Sequence, residues 1–388
     1  MLTDPDLLRQ VSPEYRSAGL CDVLPSTLAV LGVPGETDIL GLGRALPGVE
    51  RVVCLLVDGL GYHLYPLASV GSALLSDAVT GRRGEVRRLT TGFPSTTPTS
   101  LASYGTGAPP GEHGITAFTV NVPGTDDVLV HILWGDEPDP YHWQPLTTCF
   151  ERAAAAGVLS TLVSPAFEHT GLDRAVYRGA RHLPAEDVTE LATGVRRALA
   201  TPGRQLVHAY YAGVDKAGHR YGVGSAQWHA EVMQLDWLLS ELLADADPRT
   251  AVLVTADHGM INVPDDSRIR IEEPHREGVR LICGEPRARY LYTSPGEDEA
   301  VAARWRGLMG DRARVLTRRE AVDAGWFGKV PDAHLERIGD VVVVCNDDYV
   351  LLGAPESDSP YVEQLKALHG GLTEAEMAVP LWIAHGGR

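Results

Sequence analysis

Val252-Leu-Val-Thr-Ala-Asp257-His258-Gly259 is the stretch that decides the fold. Two valines, a leucine and a threonine in an unbroken apolar run compose a strand buried on both faces, as in a parallel sheet. The run stops at Asp257-His258. In open α/β sheets, ligands sit just past the carboxyl ends of the strands. A carboxylate beside an imidazole at that point suits a zinc-like cation. Gly259 is expected to let the backbone turn sharply there.

Two further strands end the same way. Residues 51–57 run into Asp58-Gly59. Residues 205–211 run into Gly213-Val214-Asp215, with His219 four residues on, so that Asp215 and His219 can share a helical face. Helical patterns at 149–156, 185–200 and 226–243 alternate with these strands and with one at 158–163, and shorter helices are expected at 25–31 and 67–77. Residues 134–145, broken by three prolines, read as a loop. The alternation predicts an α/β fold: a mostly parallel central sheet with helices on both faces. After Asn262 the rhythm changes. Strands at 289–292, 313–317 and 340–345 with a helix at 298–308 predict a small α+β cap inserted at 265–355. The core is expected to comprise 1–264 and 356–388, closed by an apolar segment at 379–384.

The chain has 388 residues, 34 basic and 51 acidic side chains and a net charge of −17. That balance disfavours nucleic acid polymers and anionic membranes as partners. Bound metal ions would still admit a phosphate-bearing small molecule. The five cysteines are scattered and form no Cys-x-x-Cys, which argues against a thiolate zinc site or a disulfide framework. Residues 1–6 lack the basic and apolar regions of a leader, and no stretch is long and apolar enough to span a membrane. The expectation is a cytoplasmic protein. The oligomeric state is not fixed by the sequence.

His369, between glycine-rich elements near the C-terminus, brings the set to three carboxylates and three imidazoles. Mixed nitrogen and oxygen donors suit zinc, or manganese, and six or seven ligands are what a two-metal centre needs. A hydroxyl nucleophile is available in Phe93-Pro-Ser-Thr-Thr97-Pro-Thr-Ser100, which leads into a small-residue segment. Hydroxyl-rich stretches also cap helices, and a capped helix N-terminus presents N–H groups to phosphate.

These blocks, together with Thr106-Gly107 and His113-Gly114-Ile115, resemble the alkaline phosphatase superfamily, in particular its nucleotide pyrophosphatase/phosphodiesterase branch and the phosphonoacetate hydrolases. The resemblance covers residues 50–260 and 360–388. It implies two Zn²⁺ ions, one on Asp215, His219 and His369, the other on Asp58, Asp257 and His258 with Thr97 as attacking oxygen. Counting back from Thr106 and His113 places the nucleophile at Thr97, with Thr96 and Thr99 as neighbours in contention. Ser100, three residues on, is the expected donor to a phosphoryl oxygen. The implied activity is hydrolysis of phosphodiester or pyrophosphate bonds of nucleotide-type small molecules through a phosphothreonine. The alternatives are a phosphomonoesterase, a phosphonate C–P hydrolase, or a metal-stabilised binding protein without turnover.

Between Thr90 and Ala180 the only cations are Arg152, Arg174 and Arg178, and Lys216 is the only one inside a block. A monoester dianion needs more positive charge than a diester, so diesters are expected to be preferred unless Arg287, Arg289 or Arg318 reaches in from the cap.

Overall fold

The computed structural model describes residues 4–165, 170–244 and 247–385. Residues 1–3, part of the segment read for a leader, lie outside them.

Seven strands form the central sheet: β1 (Arg51–Val57), β2 (Glu85–Thr90), β3 (Leu159–Ser164), β4 (Arg181–Pro184), β5 (Gln205–Tyr211), β6 (Thr250–Thr255) and, from the C-terminus, a strand at Ala378–His385. The last is β11, because four strands of a second sheet intervene: β7 (Val279–Glu285), β8 (Ala288–Thr293), β9 (Ala313–Thr317) and β10 (Val341–Cys345). The central order is β2-β11-β6-β1-β5-β3-β4. β1, β3, β4, β5 and β6 are parallel, and β11 is antiparallel to both β2 and β6. Apolar continuity explains the centre: Val52–Val57 and all of β5 and β6 are buried, as expected of strands covered by helices on both faces. Those helices include α1 (Val23–Val30), α3 (Cys149–Ala155), α4 (Val188–Leu199) and α6 (Ala226–Ala244), with α2 (Thr97–Thr106) and α5 (Gly213–Tyr221) at the carboxyl ends of the strands. The C-terminal segment thus closes the core, as its apolar pattern predicts.

Two expectations differ. The helix at 67–77 is two short ones, Tyr65–Ala68 and Ala73–Val79, interrupted at Gly71. The loop at 134–145 contains one turn of helix, Pro140–Trp143, capped by the Asp139 side chain.

Residues 279–345 build a second sheet, antiparallel, in the order β7-β8-β10-β9. Its strands alternate faces. Leu291, Val341, Val343 and Cys345 pack with Trp305 and Met309 of α7 (Asp298–Met309) in one apolar cluster. Tyr290, Tyr292, Val342 and Val344 face the main core. The β7–β8 turn therefore rests on the core and brings Glu285 and Arg287 toward the carboxyl end of the central sheet. No helix among the described residues is long and apolar enough to cross a membrane. All five cysteines are free and buried.

Candidate active site

Asp58, Asp257 and His258 follow β1 and β6, adjacent strands. Asp215 and His219 lie on α5, directly after β5, the other neighbour of β1. One residue's difference in strand register would turn these side chains away. His369 reaches the same place from the C-terminal segment. The fold therefore assembles six groups separated by more than 300 residues of chain.

Their donor atoms converge. Asp58 Oδ1 and Asp257 Oδ2 each lie 3.4 Å from His258 Nε2. Asp215 Oδ1 is 3.4 Å from His219 Nε2 and 3.9 Å from His369 Nε2, and the two imidazole nitrogens are 3.2 Å apart. Tetrahedral ligation with bonds of about 2.0–2.1 Å puts neighbouring donors about 3.3–3.4 Å apart, close to these separations. Asp58, Asp257 and His258 form one candidate metal-holding group, and Asp215 and His369 another that also takes in His258. The His258 and His369 rings stack with centroids 3.5 Å apart, so the two centres adjoin.

Two observations test whether these residues fit metal ions. First, Asp58 Oδ1, Asp215 Oδ1 and Asp257 Oδ2, the oxygens that face the imidazoles, are buried and have no hydrogen-bond partner. Buried charge without partners is costly, and a cation satisfies all three. Second, every imidazole has its Nδ1 on a backbone carbonyl: His219 on Ala367, His258 on Gly259 and His369 on Ser95. That arrangement leaves Nε2 as the free ligand atom, as in metal sites with ordered outer shells. The residues fit. Burial, then the Asp257 and Asp215 carboxylates, hold the Asp58 carboxyl well above the usual range. Burial and the neighbouring His258 and His219 hold His369 well below the ordinary imidazole value.

Thr97 opens α2, where the first N–H groups of a helix lack intrahelical partners. Residues 98–106 of this helix are all buried and Thr97 alone is part-exposed. Its Oγ1 is 3.2 Å from His258 Nε2. Thr96 and Thr99 are buried, and their hydroxyls meet no hydrogen-bond partner. Ser100 lies one turn into the same helix. It is fully buried, and its hydroxyl lies 2.8 Å from Thr91 Oγ1 in a mutual hydrogen bond.

Gly59 sits at φ +72° with its N–H on Asp257 Oδ1, and a Cβ there would come within 3.0 Å of Asp215. Gly259 is glycine for a different reason from the turn expected of it. It has no positive φ, but a Cβ would lie 2.0 Å from the Ala375 carbonyl oxygen and its Cα packs on Gly61.

Arg287, Arg289 and Arg318 are each engaged in an ion pair, and Arg289 Nη1 is left buried without a hydrogen-bond partner. Arg287 is buried on both oxygens of Glu376, at 3.0 and 2.7 Å, Arg289 is committed to Asp358 and the Leu351 carbonyl, and Arg318 to Asp340. Arg287 works on position. Its partner Glu376 also accepts from the Gly371 N–H and the Thr373 hydroxyl, and the Glu376 carbonyl accepts from Gly259. One ion pair thereby ties the β7–β8 turn to the loops that carry His369 and His258. Arg287→Ala should destabilise the protein by about 3–5 kcal/mol, since it strands a buried carboxylate. Denaturant unfolding checks this, and a change below about 1 kcal/mol would contradict the role.

Phe118 and Glu285 carry no recognisable signal in the sequence, whereas Tyr210, beside Tyr211 at a strand end, reads equally as core or pocket. The Tyr210 hydroxyl donates to Asp58 Oδ2. Phe118 and Glu285 line a cavity of about 130 Å³ that also touches His219 and His369. Burial pushes the Glu285 carboxyl up to about 8. The Thr96 hydroxyl and the Phe118 N–H offset this in part without making a hydrogen bond of normal geometry.

Among the other described histidines, His113, His131 and His208 are buried and hydrogen-bonded. His113 bonds Ser103 and closes the segment after α2. His142 is exposed and paired with Asp139, while Trp143 is buried under Arg337, so neither lines the site. His169 lies outside the described residues. Burial pulls His131 down to about 4 and His208 to about 3. In the unfolded chain both protonate near 6.5, so their contribution is fully present above that pH and is lost as pH falls through the folded values. The unfolding midpoint should therefore drop between pH 6.5 and 4. A flat profile there would contradict two buried neutral imidazoles.

A seven-stranded α/β sheet with acid and imidazole clusters past its carboxyl ends defines a protein of the alkaline phosphatase superfamily. The model of the type I phosphodiesterase / nucleotide pyrophosphatase family matches residues 52–372, and the chain belongs to that family. No curated protein matches by sequence. Among solved structures, murine ectonucleotide pyrophosphatase / phosphodiesterase 5 is 18% identical with a TM-score of 0.66, covering 86% of this chain and 88% of that one. An inactive threonine-to-alanine variant of it in complex with AMP, also 18% identical, has a TM-score of 0.63 over 87% and 88%. Phosphonoacetate hydrolase from Sinorhizobium meliloti, in complex with phosphonoformate, is 21% identical with a TM-score of 0.66 over 87% and 90%. These likenesses are of fold.

Proposed function

We propose that the chain is a two-metal hydrolase of phosphodiester or pyrophosphate bonds that works through a phosphothreonine on Thr97. The observation that carries this reading is the placement of the one part-exposed hydroxyl of α2 beside three buried, partnerless carboxylate oxygens. Asp215, His219 and His369 would hold one cation, and Asp58, Asp257 and His258 the other. The nitrogen and oxygen donor set suits zinc first and manganese second. Bound cations supply Lewis acidity and neutralise phosphoryl charge.

This chain's residues do the rest. Thr97 Oγ1 forms the new bond to phosphorus as the bond to the leaving oxygen breaks, and the hydroxyl proton leaves with solvent or the departing group. Water then attacks the phosphothreonine and frees Thr97. The N-terminus of α2 offers backbone donors to the phosphoryl oxygens. Tyr210 fixes Asp58. Inactivity of the threonine-to-alanine variant of the murine neighbour, bound to AMP, agrees with a threonine in this role. We place the 265–355 segment as a cap over one side of the site.

Diesters should be preferred to monoesters. Arg287, Arg289 and Arg318 are held in ion pairs, and no lysine or arginine lines the cavity beside His219 and His369. The test is kcat/KM for bis(p-nitrophenyl) phosphate against p-nitrophenyl phosphate at matched pH and zinc. We expect the diester to lead by about tenfold or more, the scale of one missing charge-assisted contact. A clear lead for the monoester would move the protein to the phosphatase side of its superfamily. Metal binding with no turnover of any phosphoester or phosphonate would reduce it to a binding protein.

A further inference from the structure

Ser95 stands two residues before Thr97, on the loop that leads into α2, and it is fully buried. It grips three consecutive residues of the C-terminal segment. Its carbonyl oxygen accepts from His369 Nδ1 at 2.9 Å, its hydroxyl oxygen accepts from the Gly370 N–H at 3.2 Å, and the same hydroxyl donates to the Gly371 carbonyl at 2.8 Å. Gly370 has φ +118°, a backbone that side chains rarely adopt, so the loop turns sharply at the point where the hydroxyl holds it. Without that hydroxyl, a buried N–H and a buried carbonyl would both lose this partner.

A latch between two loops needs no particular relation to chemistry. This one joins the segment of Thr97 to His369. On the other side, Thr97 Oγ1 lies 3.2 Å from His258 Nε2, and the His258 ring stacks on that of His369 with centroids 3.5 Å apart. Ser95 thus closes a ring of contacts that runs from Thr97 through His258 and His369 and back to the Thr97 loop. We propose that Ser95 is a positioning residue. Its carbonyl keeps His369 in the tautomer that leaves Nε2 for a cation, its hydroxyl keeps the loop in register for that bond, and the placement of Thr97 depends on the same hold. The proposal deepens the hydrolase reading and rests on it for the role of Thr97.

The full chain, stripped by chelator and titrated with zinc, tests this. Ser95→Ala should weaken by about tenfold or more the zinc site that His369→Ala abolishes, and leave the other as in the wild type, since outer contacts of this kind are worth about 10- to 100-fold in metal affinity. At saturating zinc its kcat toward bis(p-nitrophenyl) phosphate should still fall by about tenfold, with KM nearly unchanged. Thr96→Ala, which removes the adjacent buried hydroxyl that has no partner, should leave both zinc affinities alone. Hydrogen exchange in zinc-loaded His369→Ala tests the coupling from the other side and needs no Ser95 variant. Exchange should quicken at residues 91–97 as well as at 366–372. Quickening confined to 366–372 overturns the proposal, and so do unchanged zinc affinities in Ser95→Ala or an equal loss at both sites. Each of these leaves the hydrolase reading standing where the wild type cleaves the diester. Selective weakening of one zinc site, with no cleavage of any phosphoester by the wild type, keeps the hold of Ser95 on His369 and removes the hydrolase reading.

Discussion

Thr97→Ala is expected to lower kcat/KM toward bis(p-nitrophenyl) phosphate by roughly 10³-fold or more, the scale on which enzymes lose turnover with their nucleophile. Metal content and unfolding midpoint should hardly move. Thr97 is part-exposed, so losing its hydroxyl and methyl strands no buried polar group and opens no sealed cavity. Its neighbours make the control. Thr96 and Thr99 are also threonines of this segment, but they are buried with unpaired hydroxyls. Replacing either with alanine removes an unsatisfied group along with one methyl, and turnover should stay within about tenfold of wild type, since neither hydroxyl touches the ligand cluster. Thr97→Ser keeps the attacking oxygen and should retain far more activity than the alanine variant. If Thr96→Ala were inactive while Thr97→Ala kept full turnover, the nucleophile would be misassigned.

Much of this candidate site is legible in the sequence because Asp58, Asp257 and His258 sit where buried parallel strands stop and Asp215 follows a third. Strands β1 and β5 coincide with the expected 51–57 and 205–211, and β6 extends the expected 252–255 by two residues. Continuous apolar runs mark such strands, and a polar residue after each run marks its carboxyl end. The elements that escaped are those where that signal fails. β2 reads Glu-Val-Arg-Arg-Leu-Thr, with only its last two residues buried, because it is an edge strand paired on one side by β11. β7 begins with Val-Arg-Leu and carries only a short apolar stretch before Gly284, so Glu285 could not be placed at all. The burial of Ser100 has a geometric reason. The sequence places a hydroxyl one turn into α2, but only the packing of Thr91 shows that the turn faces inward. Tyr210 bonds across to the residue after the neighbouring strand, and such inter-strand contacts depend on register, which no motif reveals.

Stripping the metals should have the other large effect, on stability as well as activity. Without cations, Asp58 and Asp257 both crowd His258 while Asp215 lies within reach of the same cluster, and one oxygen of each carboxylate is buried and unpaired. Burial and the two neighbouring acids already hold Asp58 well above its ordinary value, which shows how poorly the site tolerates three negative charges. A folded-state value above the unfolded one means that the metal-free protein loses stability as pH rises from about 4 toward the raised value. Bound cations reverse that, since they require the carboxylates deprotonated and bind the folded state alone. Protein dialysed against a chelator should therefore unfold at a lower temperature, the more so at pH 7 than at pH 5, and lose turnover almost completely. Two equivalents of zinc should restore both, and His369→Ala should retain about one tightly held ion, because Asp58, Asp257 and His258 remain intact. Elemental analysis with calorimetry at the two pH values decides it. A chelated protein with unchanged midpoint and full activity would remove the two-metal centre, and with it the metal-holding role of all six ligands.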